Sequence, residues 1–220
     1  MSKTSVHGLN CLIMPQSKVV TPMSSRFRGF LPIVVDVETG GFDHKKDALL
    51  EISAQILEID DNGQLGIKES VSCHIKPYEG LNMEPASMEV NGIDPYNPFR
   101  MAKTEFEALT LVFQTIRREV KRTGCTRAIM VGHNTTLDLN FVNAAAERNK
   151  LARNPFHQFS MFDTVSFAGL AYGQTVLSRA VQAAEIEWDD SKAHSAAYDA
   201  QKTAELFCKI VNQWDKLSAN

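Results

Sequence analysis

Two acids two residues apart, Asp36 and Glu38, close a run of β-branched apolar residues in Ile33-Val34-Val35-Asp36-Val37-Glu38-Thr39-Gly40-Gly41. The run reads as a strand buried on both faces and ended by the glycine pair. Alternate residues of a strand face one side, so both carboxylates project together. Side-by-side carboxylates at the end of a buried strand are costly unless protons or cations compensate them. Hard oxygen ligands suit Mg²⁺ or Mn²⁺, which makes divalent-metal binding one reading. The other is a strand running out into solvent with both acids hydrated.

Three more groups of this kind occur further along. Asp138 ends Val131-Gly132-His133-Asn134-Thr135-Thr136-Leu137-Asp138, just past a later apolar run. His194 and Asp199 lie in Ala193-His194-Ser195-Ala196-Ala197-Tyr198-Asp199. Each has a plain structural reading as well. Asp138 and Asp199 can complement the dipole at the start of a helix, and His194 can sit in a capping region.

The elements that must position these groups follow from periodicity and turn chemistry. Residues 48–59 read as a second strand, with Leu50, Ile52, Ala54 and Ile56 on one alternation. Asp60-Asp61-Asn62-Gly63 is a turn, and residues 70–76 supply a third strand, which gives an antiparallel meander. Residues 77–102 look irregular, with a short helix at 84–89. A helix beginning near Thr104 repeats Phe106, Leu109, Phe113, Ile116 and Val120 at helical spacing and stops at Gly124. A fourth strand spans 127–132, a helix 138–149, and a short extended piece 160–162. Helical segments follow near 164–171 and 176–184. The last helix, near 195–214, is expected to bury Leu206, Phe207, Ile210 and Trp214. Strands first and βαβ-like alternation afterwards predict an α/β fold: a mixed five-stranded sheet flanked by helices.

Composition narrows the setting. With 220 residues, 44% hydrophobic and 22% charged, the chain suits one soluble domain with a substantial core. The expected division is a disordered tail at 1–25 and a single domain at 26–216. Cys11, Cys73, Cys125 and Cys208 form no C-x-x-C pair, which points to a reduced, cytoplasmic protein without a disulfide framework or a zinc site. No apolar run is long enough for a membrane span or a signal peptide, so no membrane partner is expected. A net charge of −3 gives no global sign of nucleic acid, so any such role must rest on local patches.

Taken in chain order, D-x-E on a strand, H-N-x-x-x-D after a later strand and H-x(4)-D opening the last helix resemble the DEDDh exonuclease family, whose fold is ribonuclease H-like. The resemblance covers roughly residues 26–214. It is closer still, in Arg26-Phe27-Arg28-Gly29-Phe30, Asn91-Gly92-Ile93-Asp94-Pro95 and Arg153-Asn154-Pro155-Phe156-His157, to a branch of that family that matures RNA 3′ ends. It implies that Asp36, Glu38, Asp138 and Asp199 hold two Mg²⁺ (or Mn²⁺) ions and that His194 is the general base. Two ions about 3.5–4 Å apart clamp a scissile phosphate, and a mobile neutral imidazole takes the proton of the attacking water. The implied reaction is 3′-to-5′ hydrolysis releasing nucleoside 5′-monophosphates from single-stranded ends of transfer, ribosomal and other stable RNA. His133 has no place in this scheme and reads as a structural residue at the strand end.

The same resemblance implies a homodimer in which a basic patch of one subunit guides RNA into the other's site. Arg26, Arg28, Lys121, Arg127 and Arg153 match that patch by position. Arg117, Arg118, Lys121 and Arg122 share one side of their helix, and without the resemblance such a stripe reads as a solvated face. The family stacks terminal bases on four phenylalanines. Phe42 and Phe159 match two of these, whereas Val90 and Leu137 stand at the other two. Two alternatives remain at this stage: a DEDDh exonuclease acting mainly on single-stranded DNA, and a module that binds nucleic acid without cleaving it.

Overall fold

A computed structural model describes residues 20–218. Five strands form one sheet in the order β3-β2-β1-β4-β5: β1 at Phe30–Thr39, β2 at Leu49–Ile59, β3 at Leu65–His74, β4 at Arg127–Gly132 and β5 at Phe156–Asp163. β1 pairs antiparallel with β2, and β2 antiparallel with β3, which is the expected meander. β1 and β4 run parallel, as do β4 and β5. The sheet is therefore mixed, and its centre is the strand that carries Asp36 and Glu38.

β1 is central because its residues permit nothing else. Leu31, Ile33, Val34 and Val35 have no exposed surface, so both faces of the strand are covered. The helices that cover the sheet are α3 at Glu105–Arg122, α4 at Thr135–Arg148 and α7 at Ala196–Ser218. Shorter helices are α1 at Pro22–Ser25, α2 at Pro85–Asn91, α5 at Thr164–Tyr172 and α6 at Leu177–Ala183. α3 and α4 pack on each other and on the sheet, while α7 lies on β1–β3 with α5 and α6 beside it. None of the helices among the described residues is long and apolar enough to cross a membrane.

Several element limits differ from expectation. β3 starts at Leu65 rather than residue 70, because Asn212 on α7 bonds both the N–H and the C=O of Leu65 and pins that end. α4 starts at Thr135 rather than at Asp138. β5 extends well beyond 160–162, its polar segment held by register with β4 rather than by apolar alternation. Trp214 and Phe106 are 62% and 51% exposed, so neither joins the core expected of its helix. The expected tail at 1–25 is corrected at its near end: Thr21 caps α1 and Met23 is buried. Residues 1–19 lie outside the described residues.

Two buried acids fasten the helices that frame the site. Glu119 on α3 receives Lys68, Arg118 and Arg122. Burial would raise its carboxyl, but the hydrogen bonds from these cations prevail and hold it at about 2. Arg118 and Arg122 are thus spent on Glu119, with Glu69 and Glu58 as further partners. Glu105, at the start of α3, takes two 2.7 Å hydrogen bonds from Arg148 at the end of α4. Removing one member of a buried pair strands the other, at a cost of about 3–5 kcal/mol. Glu105→Ala should therefore lose about 3 kcal/mol in urea unfolding, and a loss below about 1 kcal/mol would show that Arg148 finds another partner.

Candidate active site

The C-terminal end of β1 and the first turn of α7 converge. Asp36, Glu38 and Asp199 each offer a carboxylate oxygen, and these oxygens lie within 4.8 Å of one another. Asp138, in the first turn of α4, is 4% exposed and accepts the Val37 N–H at 3.0 Å through Oδ1. It stands beside the trio rather than within it. Burial pushes the Asp36 carboxyl well above the usual range, helped by repulsion from Asp138, Asp199, Glu38 and Glu51. Asp36 is the one acid that feels all the others. Burial, with Asp199 and Glu51, raises Glu38 to about 8, and burial also raises Asp138 and Asp199.

A divalent cation fits this arrangement on two observations. The first is the accumulation of charge just described, which a cation would relieve. The second is Asp199 Oδ1, a buried oxygen with no hydrogen-bond partner and therefore an acceptor in want of one. Its other oxygen, Oδ2, accepts the His194 N–H at 3.1 Å. His194 has φ 62°, a left-handed conformation costly for a side chain of this size, and its imidazole is exposed. The turn before α7 thus fixes Asp199 from the backbone of His194 while leaving the ring exposed.

Close approaches explain the glycines. A Cβ at Gly132 would come within 3.1 Å of Asp138 Oδ2 and of Thr135 Oγ1, so any larger residue there would push on that carboxylate. At Gly41 a Cβ would lie 2.1 Å from Asp47 Oδ2, which accepts the Asp43 N–H and shapes the loop carrying Phe42.

Sequence reasoning passed over three further acids. Asp163 accepts N–H groups from Asn134, Thr135 and Val165 and so sets the start of both α4 and α5. Its sign in the sequence was an acid directly before a helix. Asp47 is the second. Glu51, 9% exposed on β2 and directly opposite Glu38, is the third. A lone acid inside the apolar run Leu49-Leu50-Glu51-Ile52 was its signal. His133 meets Thr164 Oγ1 at 2.9 Å and the Thr175 carbonyl at 3.0 Å, and burial lowers its pKa, as a structural residue would have it.

The other site residues fall into two groups. Phe42, Val90 and Phe159 are 81%, 62% and 76% exposed, whereas Leu137 is half-buried against the core. Arg28 lies over the Phe30 ring, and Phe30 is the register partner of Arg127. Arg117 donates to the Arg153 carbonyl, while Lys121, Arg127 and Arg153 are exposed. Arg26 pairs with Asp215 at 2.7 Å. Arg28 and Arg127 therefore mark the N-terminal end of β1. Six strand residues of about 3.3 Å each separate Phe30 from Asp36, roughly 20 Å.

The acids bear on stability in a definite direction. Folded and metal-free, Glu38 keeps its proton up to about pH 8, whereas in the unfolded chain it loses it near 4.5. Across that window the folded form binds the extra proton, so stability falls as pH rises and is fully present only below the window. Thermal melts in EDTA should show Tm dropping between those limits, and Asp36→Asn should flatten the drop. A metal-free Tm that rises with pH there would contradict the repulsion.

The ribonuclease T family model, described as an exonuclease, matches residues 33–207. Ribonuclease T of Hahella chejuensis is 57% identical over 202 residues, covering 92% of this chain and 93% of the relative. Exonuclease I of E. coli, solved with a dT13 oligonucleotide, superposes with a TM-score of 0.66 at 17% identity, over 86% of this chain. Exonuclease I of Methylocaldum szegediense gives 0.63 at 19% identity. The chain spans 43% and 42% of the length of those two proteins, and at such identity they speak for the fold alone. By the reach of the family model and the identity to its relative, the chain belongs to the ribonuclease T family of exonucleases.

Proposed function

We propose that this protein is a divalent-metal-dependent 3′-to-5′ exoribonuclease of the cytoplasm that trims single-stranded 3′ ends of transfer RNA and other stable RNAs. What carries the reading is the convergence of Asp36, Glu38 and Asp199 within 4.8 Å, with Asp199 Oδ1 unpartnered, in a chain of this family. Asp36, Glu38, Asp138 and Asp199 would hold two Mg²⁺ or Mn²⁺ ions. Ions bound there would neutralise the scissile phosphate and steady both the attacking and the leaving oxygen. The four carboxylates supply the compensating charge, and Asp36 is repelled by Asp138, Asp199 and Glu38 together. His194 takes the proton of the attacking water, its exposed ring free to turn while its N–H holds Asp199. Phe42, Val90, Leu137 and Phe159 contact the terminal bases, with face-to-ring stacking confined to the two phenylalanines.

The active unit in this reading is a homodimer. A patch roughly 20 Å along β1 from the acids does not touch a terminal phosphate bound in its own subunit's site and is placed to serve a partner's. Arg26, Arg28, Lys121, Arg127 and Arg153 form that patch, with Arg26 partly engaged by Asp215.

Matched 5′-labelled single-stranded RNA and DNA oligomers, with and without Mg²⁺, test the activity. A Mg²⁺-dependent stepwise ladder on RNA is expected. A faster ladder on DNA would reassign the substrate, and retarded but uncut strands would mark a binding module. His194→Ala should lower turnover by roughly 10²–10⁴-fold with RNA binding retained, and a near-normal rate would give the base to another group. For the dimer, Asp36→Asn subunits mixed with subunits lacking Arg26, Arg28 and Lys121 should regain part of the activity. A fully active monomer in sedimentation would defeat that arrangement.

A further inference from the structure

Behind the acidic centre lies a second charged row that the mechanism leaves unused. Glu51 on β2 is the register partner of Glu38, and His74 on β3 is the register partner of Glu51. Directly opposed residues of antiparallel strands put their side chains on one face. Glu38, Glu51 and His74 therefore line up across three strands. Glu51 Oε1 meets His74 Nδ1 at 2.7 Å and Arg100 Nη2 at 3.4 Å. Arg100 also donates to the Leu50 carbonyl at 3.0 Å, and its side chain is only 10% exposed.

A salt bridge of this kind has no structural need to sit against a cluster of acids. Its charge acts on them: Glu51 is among the groups that repel both Asp36 and Glu38. In a metal-free site that repulsion is a cost. With a dication present the same charge becomes an attraction, and at short range inside a protein such terms are large. Arg100 and His74 bond the Glu51 carboxylate and so offset part of that cost.

We propose that Glu51 is a positioning residue of the metal site: held by Arg100 and His74, its carboxylate presents a fifth negative charge beside Glu38 and tightens cation binding without ligating the ion. The inference rests on the metal-dependent reading of the site given above. A competing role is mechanical, with Glu51 serving only to anchor the short helical turn at Pro98–Arg100 through Arg100. The two roles give opposite results for Arg100. If the charge matters, Arg100→Met unmasks it and cation binding stays as tight or tightens. If anchoring matters, Arg100→Met weakens binding as much as Glu51→Gln does.

Calorimetric titration of Mn²⁺ into the metal-stripped full chain, without RNA, reads this directly. Glu51→Gln should weaken Mn²⁺ binding by about 10–100-fold, the usual effect of losing a partner just outside the ligands. The double variant Glu51→Gln with Arg100→Met leaves no unpaired buried cation, so it serves even where the single variant fails to fold. It should bind Mn²⁺ more weakly than Arg100→Met alone. Wild-type affinity in Glu51→Gln, or equal affinities in Arg100→Met and the double variant, would overturn the proposal. Asp36→Asn separates the two levels. If it abolishes Mn²⁺ binding while Glu51→Gln does not alter it, only the role of Glu51 falls. If Asp36→Asn binds Mn²⁺ like the wild type, the metal reading falls and this inference with it.

Discussion

Mutual repulsion among carboxylates at the end of one buried strand is the constraint on which the structure turns. Asp36 and Glu38 leave β1 on the same face, and Asp199 and Asp138 are brought to them from two different helices. Burial and neighbouring charge together push Glu38 to about 8, well above its ordinary value. The remainder of the fold supplies enough apolar burial to carry that local cost. β1 has fully covered residues from Leu31 to Val35, and β2 alongside it is buried through most of its length. A strand less thoroughly enclosed could let its acids relax into water, and the cluster would disperse.

The same constraint explains why the backbone around the acids is so heavily bonded. Val37 holds Asp138, His194 holds Asp199, and Asp163 holds the amides that open α4 and α5. Each bond goes to a carboxylate from a main-chain N–H, which is a donor that cannot swing away. Charged side chains are kept one layer back, on Glu51, Glu105 and Glu119. Acids near the centre are thus oriented by dipoles, Glu105 and Glu119 in the frame are neutralised by cations, and Glu51 is held by Arg100 and His74 with its charge only partly offset. The distinction leaves the centre short of positive charge and able to receive it.

How far all this was legible in the sequence depended on whether a residue's role is local. The β1 run, the D-x-E pair, the meander and the long helix after Thr104 announce themselves through periodicity and capping within a few residues. Asp138, His194 and Asp199 have ordinary local readings as capping and dipole residues, and only the resemblance of their chain order to the family's motifs singles them out. Glu51 and Asp163 do not stand out at all, because their meaning comes from strand register and from amides nearly thirty positions away. The start of β3 depends on Asn212, almost at the other end of the chain. Trp214 and Phe106 misled for the converse reason: helical spacing assigns a side to each residue, but the width of the covered stripe is set by what packs there.

The separation of charge along β1 has one more consequence. The acidic cluster stands at the C-terminal end of the central strand and the exposed Arg28 and Arg127 at the other, so groups of opposite charge type mark the two ends of one strand. Two copies side by side in the same direction would set like ends together, whereas an antiparallel pair related by a twofold axis sets each acidic end against a basic one. Were two copies to approach, that antiparallel arrangement would be the less repulsive of the two, and added salt would shorten the distance over which the difference is felt.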